Sequence, residues 1–253
     1  MIRTATFAVL LAACVAGTAA AQSITLSPAV VTLRGSLGQS VTQTLTLHNG
    51  TDVELTFALD ARDVVVRDGS RAFAAAGESA ASIAATAVFT PRVVRIAPRG
   101  SAAVTVTLTL PPATRQRAVV ALFHSTKAVS SGGRPTFLSL GTLFTFTLSD
   151  RLSLAAGDLR ATPPTTSANA LLASGLFNDG EEPVEARGVA VILGAGGAIV
   201  GKADFGSHRL LPGERATFSA DYAGELAAGT YRSVATFEAA GRSVVRTAVL
   251  VVP

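Results

Sequence analysis

The residues of this 253-residue chain with the greatest chemical reach are three histidines, one cysteine and a short acidic run. A shared metal needs ligands whose spacing lets them converge, as two histidines one helical turn apart do. His48, His124 and His208 are far apart and flanked by strand or turn residues, so they are read as structural or solvent-facing. The run Glu181-Glu182-Pro183-Val184-Glu185 follows Asn178-Asp179-Gly180 and offers the oxygens that calcium takes, but without EF-hand spacing. A solvated hairpin rim is the expectation there. The sequence holds no G-x-S-x-G elbow, H-E-x-x-H pair, phosphate loop or Gly-rich dinucleotide fingerprint, which argues against an enzyme and for no cofactor and no metal. Asn49-Gly50-Thr51 has the form of a glycosylation sequon, yet Asn-Gly is also a strong signal for a tight turn. With two tyrosines and no tryptophan, a stacking platform for sugars is not expected.

Cys14 lies inside the N-terminal stretch. Arg3, the apolar run Phe7 to Val15 and Ala19-Ala20-Ala21 before Gln22 form an export signal with an A-x-A cleavage site, so residues 1–21 are read as a signal peptide. A second reading competes: Leu11-Ala12-Ala13-Cys14 resembles a bacterial lipobox, in which Cys14 would carry a lipid anchor. Cleavage after Ala21 leaves a chain without cysteine, held together by apolar burial and not by disulfides. No later run reaches the roughly 20 apolar residues of a transmembrane helix, so no transmembrane span is expected. The place of action is then the periplasm or the cell surface.

The formal charge is +4, from 21 Lys and Arg against 17 Asp and Glu, and the basic residues are scattered singly between acids. Nucleic acid requires basic residues gathered on one face, and none is expected as a partner.

Two-residue alternation dominates the rest. Val41-Thr42-Gln43-Thr44-Leu45-Thr46-Leu47 and Val104-Thr105-Val106-Thr107-Leu108-Thr109-Leu110 put apolar residues on one side and Thr or Gln on the other, as half-buried antiparallel strands do. Turn signals recur at short intervals, among them Asp68-Gly69, Pro98-Arg99-Gly100, Gly132-Gly133 and Pro212-Gly213. Phe73 to Ala87 is Ala-rich with only Phe73 and Ile83 large enough to anchor a helix, and reads as a loop with one helical turn. The pattern predicts an all-β chain of two tandem immunoglobulin-like sandwiches, residues 22–150 and 151–253, divided near Asp150 where the alternation of Leu138 to Leu148 stops. An internal repeat supports the division. Asn49, Pro98 and Phe123 recur in order as Asn178, Pro212 and Phe237, and the first half carries extra residues within Arg67 to Thr86.

The first half resembles the N-terminal domain of periplasmic pilus chaperones and their wider chaperone-like relatives. The matching segments are Ile24-Thr25-Leu26-Ser27-Pro28, Leu45-Thr46-Leu47-His48-Asn49, and Phe89 to Gly100 with its apolar-Arg-apolar-x-Pro-x-Gly turn. Phe137 to Leu148 would be the family's last strand of that domain. The resemblance implies a protein-binding module whose partner is another exported polypeptide, possibly pilin-like, in keeping with pilus assembly. In the family, two basic residues hold a client carboxylate and the last strand supplies an apolar row to the client. The basic pair is missing: its positions fall near Val30 and near Leu143 or Thr145, whereas the nearest basic residues are Arg34 and Lys127. The apolar row is present in Leu138, Leu140, Phe144, Phe146 and Leu148, interrupted by Thr142. Leu138, Leu140, Phe144 and Phe146 are therefore the candidate partner-binding residues, by addition of a partner strand. The same row also suits the domain's own core. A structural or scaffold component of a surface appendage or envelope complex is the alternative reading.

Overall fold

The computed structural model describes residues 24–131 and 134–253. The export signal, its cleavage site and Cys14 lie outside the described residues. The chain is all β. Its first twelve strands are β1 (Ile24–Ser27), β2 (Val30–Arg34), β3 (Ser40–Asn49), β4 (Leu55–Arg67), β5 (Ser70–Ala75), β6 (Val88–Thr90), β7 (Val93–Ile96), β8 (Ser101–Thr109), β9 (Ala118–Ser125), β10 (Val129–Ser131), β11 (Arg134–Thr136) and β12 (Ser139–Thr147). They form two facing sheets, one ordered β1-β3-β8-β6 and the other β2-β12-β9-β4, with β5 and β7 both paired to β4. The hairpin β10-β11 extends the connection from β9 to β12. The remaining strands are β13 (Ala155–Thr162), β14 (Ala170–Phe177), β15 (Val184–Leu193), β16 (Ile199–Leu210), β17 (Arg215–Tyr222), β18 (Gly229–Ala239) and β19 (Arg242–Val252). They form a second pair of sheets, β13-β14-β17 and β16-β15-β18-β19. Both units are immunoglobulin-like sandwiches. Among the described residues no helix is long and apolar enough to cross a membrane.

Alternation in the sequence becomes sidedness in the sheets. Leu45 and Leu47 of β3 and Val104, Val106 and Leu108 of β8 point into the first core, against Phe57, Phe123, Phe144 and Phe146 of the opposite sheet. On the outer side the hydroxyls of Thr42 and Thr107 meet at 3.0 Å and those of Ser40 and Thr109 at 2.7 Å, cross-strand pairs that satisfy polar groups facing water. The second core is separate. It gathers Leu172, Ile192, Phe205, Phe218, Phe237 and Leu250, with Phe205 and Phe237 ring centres 5.0 Å apart.

The repeat has a physical basis in one buried asparagine per sandwich. Asn49 ends β3 fully buried, and its amide donates to the carbonyls of Val53, Ile96 and Ala97 while its oxygen accepts from the Thr51 amide and hydroxyl. Asn178, just after β14, donates to the carbonyls of Glu182 and Leu210 and accepts from the Gly180 amide. Each side chain ties the corner after one strand to the carbonyls ahead of a Pro-x-Gly or Pro-Gly turn, groups that burial would otherwise leave unpaired. Asn49-Gly50 is therefore a strand-end corner rather than a two-residue hairpin, and the sequon's amide is enclosed. The tight hairpin turn occurs instead at Asp68-Gly69, where both residues have positive φ, as that turn type demands.

The extra residues of the first half also have a place. β16 runs unbroken beside the whole of β15, whereas its counterpart is split into β5 and β7 on β4. The intervening segment contains one 3-10 turn, Ala84–Thr86, anchored by the fully buried Ile83, and then adds β6 to the opposite sheet.

Candidate functional site

β12 is built differently along its length. β9 pairs with it from Ser139 to Thr145, but β2 covers its other edge only from Leu143 to Thr147, in parallel. Phe146 donates its amide to Arg117 of the β9 side, and Leu138 offers its carbonyl to Ser125. Backbone groups of an antiparallel strand alternate between neighbours, so those of Ser139 and Gly141 point away from β9. They have no strand partner among the described residues.

The side chains follow the same division. Phe144 and Phe146 are fully buried in the first core, beneath the stretch that β2 covers. Thr142, the polar interruption, is buried as well and donates its hydroxyl to the Pro28 carbonyl at 2.8 Å. Leu138 and Leu140 are half-buried at the margin of the core. Phe137, just before the strand, is 71% exposed. Of the four candidates, Leu138 and Leu140 lie where the edge is open, and a partner could reach Phe144 or Phe146 only after β2 had moved.

The opposite face of β12 packs on the second sandwich. Leu211 is buried among Val64, Ala118 and Val120, with Val66, Leu122 and Leu143 at the margin. Glu182 is fully buried. It accepts from Arg117 Nε at 2.8 Å, the Leu148 amide at 3.0 Å and the Ser149 hydroxyl at 2.8 Å. Three donors, one of them a guanidinium, are what a desolvated carboxylate needs. Glu214 accepts from Arg71 Nε at 2.9 Å and from its own turn at the Leu211 amide. The acidic run is thus divided: Glu181 pairs with Arg151, Glu182 enters the junction and Glu185 pairs with Arg209. The expected solvated rim fails at Glu182, because nothing in the local pattern shows that Arg117, 65 positions away, lies opposite.

Beside this junction a cleft of about 730 Å³ opens between the sandwiches, with Val30, Leu143, Arg71, Arg209 and Glu185 on its walls. Arg209, four-fifths buried, donates from one terminal nitrogen to the hydroxyls of Thr32 on β2 and Thr145 on β12, the latter at 3.0 Å. The other terminal nitrogen donates to Glu185 at 2.9 Å. Arg209 holds the Glu185 carboxyl below the usual carboxylate range, with help from the Ser207 hydroxyl. A basic group therefore does reach the level of Thr145, but from the second sandwich, which sequence spacing within the first could not reveal.

In solved structures, the chain is similar to CfaA, a class 5 fimbriae chaperone, at 11% identity and a TM-score of 0.45, over 91% of this chain and 99% of that one. It is similar to the Pseudomonas aeruginosa chaperone CupB2 at 13% and 0.42, over 90% and 100%. The E. coli chaperone DraB gives 12% and 0.40, over 90% and 98%. No protein-family profile and no curated protein matches the sequence.

The histidines are not brought together. His48 meets the Ser101 hydroxyl, His124 lies between Ser139 and Asp60, and His208 tilts against the Phe218 ring. Among the described residues no group of three or more His, Cys, Asp or Glu is placed to hold a metal ion.

Proposed function

We propose that this chain is an exported, non-enzymatic, chaperone-like protein-binding module of the periplasm or cell surface. It engages an extended segment of another exported polypeptide along the open part of β12. The observation that carries this reading is the unpaired backbone edge at Ser139 and Gly141, lined by Leu138 and Leu140 and flanked by the exposed Phe137. An edge of this kind pairs with a partner's main chain while apolar side chains supply specificity. The reading of residues 1–21 as an export signal supports that location. The scaffold reading draws on the buried Glu182 junction, which suits a stiff two-unit spacer.

Photo-crosslinking from position 137, at the exposed flank of the open edge, tests the proposal in exporting cells. An adduct is expected with the native chain, lost in Leu140→Asp and in Ser139→Pro. The proline removes an outward-facing N–H and the Ser139 hydroxyl's contact with His124, and leaves the domain's own ladder intact. No adduct, or the same adduct in both variants, would favour the scaffold.

A further inference from the structure

β2 is a slight cover for so buried a row. It is five residues long, forms the end of its sheet, and pairs with β12 alone. Of its side chains only Val31 is fully in the core. The β1 segment before it belongs to the opposite sheet, paired with β3, so β2 can leave β12 without undoing β1. Edge strands with one neighbour and few buried apolar side chains open at lower free energy than central ones.

Apart from the exposed Arg34–Asp150 pair at its end, the side chain that ties β2 down comes from the other sandwich. Thr32 and Thr145 are direct neighbours in the parallel register, and one nitrogen of Arg209 donates to both hydroxyls. The planar guanidinium spans the seam while its second terminal nitrogen is fixed by Glu185. The rest of the junction does not use the Arg209 side chain: Glu182 pairs with Arg117, and Arg71 bonds Glu214 and the Arg209 backbone carbonyl. Losing Arg209 would therefore release the seam without separating the sandwiches.

We propose that Arg209 is a latch that holds β2 on β12, so that the edge from Leu143 to Thr147 is open to a second extended chain only when the latch releases. This rests on the reading of β12 as a partner strand's docking edge, and extends the docking edge into the part that is closed in the resting protein. The second sandwich then regulates the site of the first.

Hydrogen exchange read by mass spectrometry tests the latch without any partner. Arg209→Ala is expected to raise exchange in residues 29–35 and 143–147 by at least about tenfold, with β3, β8 and the second core unchanged. Thr145→Val, which keeps the side-chain shape, should give a smaller rise in the same segments. A fluorescent peptide of residues 29–35 should bind Arg209→Ala in place of the released strand and leave the native chain unbound. Unchanged exchange in Arg209→Ala overturns the proposal, as does a rise spread evenly over the first sandwich, or equal peptide binding by both proteins. Because neither probe involves an exported partner, failure of the crosslinking at position 137 would count against the docking role alone.

Discussion

The two sandwiches share a buried asparagine corner, yet they treat their opening and last strands differently. In the first, the opening strand crosses from one sheet to the other, so β1 pairs with β3 and β2 with the end of β12. In the second, β13 stays with β14. There the last strand, β19, is joined to β13 by a side chain: Arg246 donates to the Ala156 carbonyl at 3.1 and 2.6 Å. The first unit also breaks the strand beside β4 and sends the intervening segment to the other sheet. The second keeps that strand whole as β16. Repetition of a corner therefore preserves an architecture, while departures from the repeat decide which edges are open. The edge we assign to partner binding lies at one such departure.

That contrast can be broken most forcefully at Phe144. Phe144→Asp places a charge at a fully buried core position and should cost more than about 4 kcal/mol, enough to unfold the first sandwich. If the two cores are independent, tryptic fragments of the second sandwich persist and its tyrosine signal is retained. Complete loss of both would show one cooperative unit. Leu140→Asp, at the half-buried margin, should leave both folded.

Glu182 measures how firmly the units are joined. Glu182→Ala leaves Arg117 and the Leu148 amide without their acceptor and should cost about 3–5 kcal/mol. The expected readout is a single denaturation transition that separates into two. A single transition at an unchanged midpoint would mean that Leu211 and its neighbours carry the junction by themselves.

The asparagines allow a like-for-like comparison. Asn49→Ala and Asn178→Ala should each cost about 1–3 kcal/mol, because both expose buried carbonyls to a partnerless interior. The larger loss is expected for Asn49, whose amide serves three carbonyls against two for Asn178. Equal midpoints in urea would show that the additional bond contributes little.

The smallest effect concerns acid. Glu185 is held below the ordinary carboxylate range by Arg209, so its pairing is in force above that range and is lost as pH falls through the lowered value. Exchange of residues 29–35 should therefore rise modestly as pH falls below the ordinary glutamate range. In Glu185→Gln this acid-dependent step should be absent.

How much of this was legible beforehand depends on distance along the chain. Strand alternation such as Val41 to Leu47 is local, and period two fixes which side chains face a core, so the all-β class could be read directly. The recurrence of Asn49 and Asn178 ahead of Pro-containing turns was visible too, although its cause, enclosed amide hydrogen bonds, was not. The apolar row of β12 is legible in the sequence as a row, but nothing in it separates Leu140 from Phe144. That difference is made by β2, more than a hundred positions earlier, which covers one end of the strand and not the other. Glu182 and Arg209 follow the same rule. Their local sequences are those of exposed polar residues, and only the docking of one sandwich on the other brings Arg117 to the first and Thr32 and Thr145 to the second. Sequence by itself determined the strand class and most of the inward faces, because these depend on near neighbours, but it missed that Phe73 to Ala75 belong to β5, whose partner β4 had to be in place. Tertiary structure decided which edges and charges are free, because a carboxylate, a guanidinium or a backbone edge is satisfied by whatever the fold brings within about 3 Å of it.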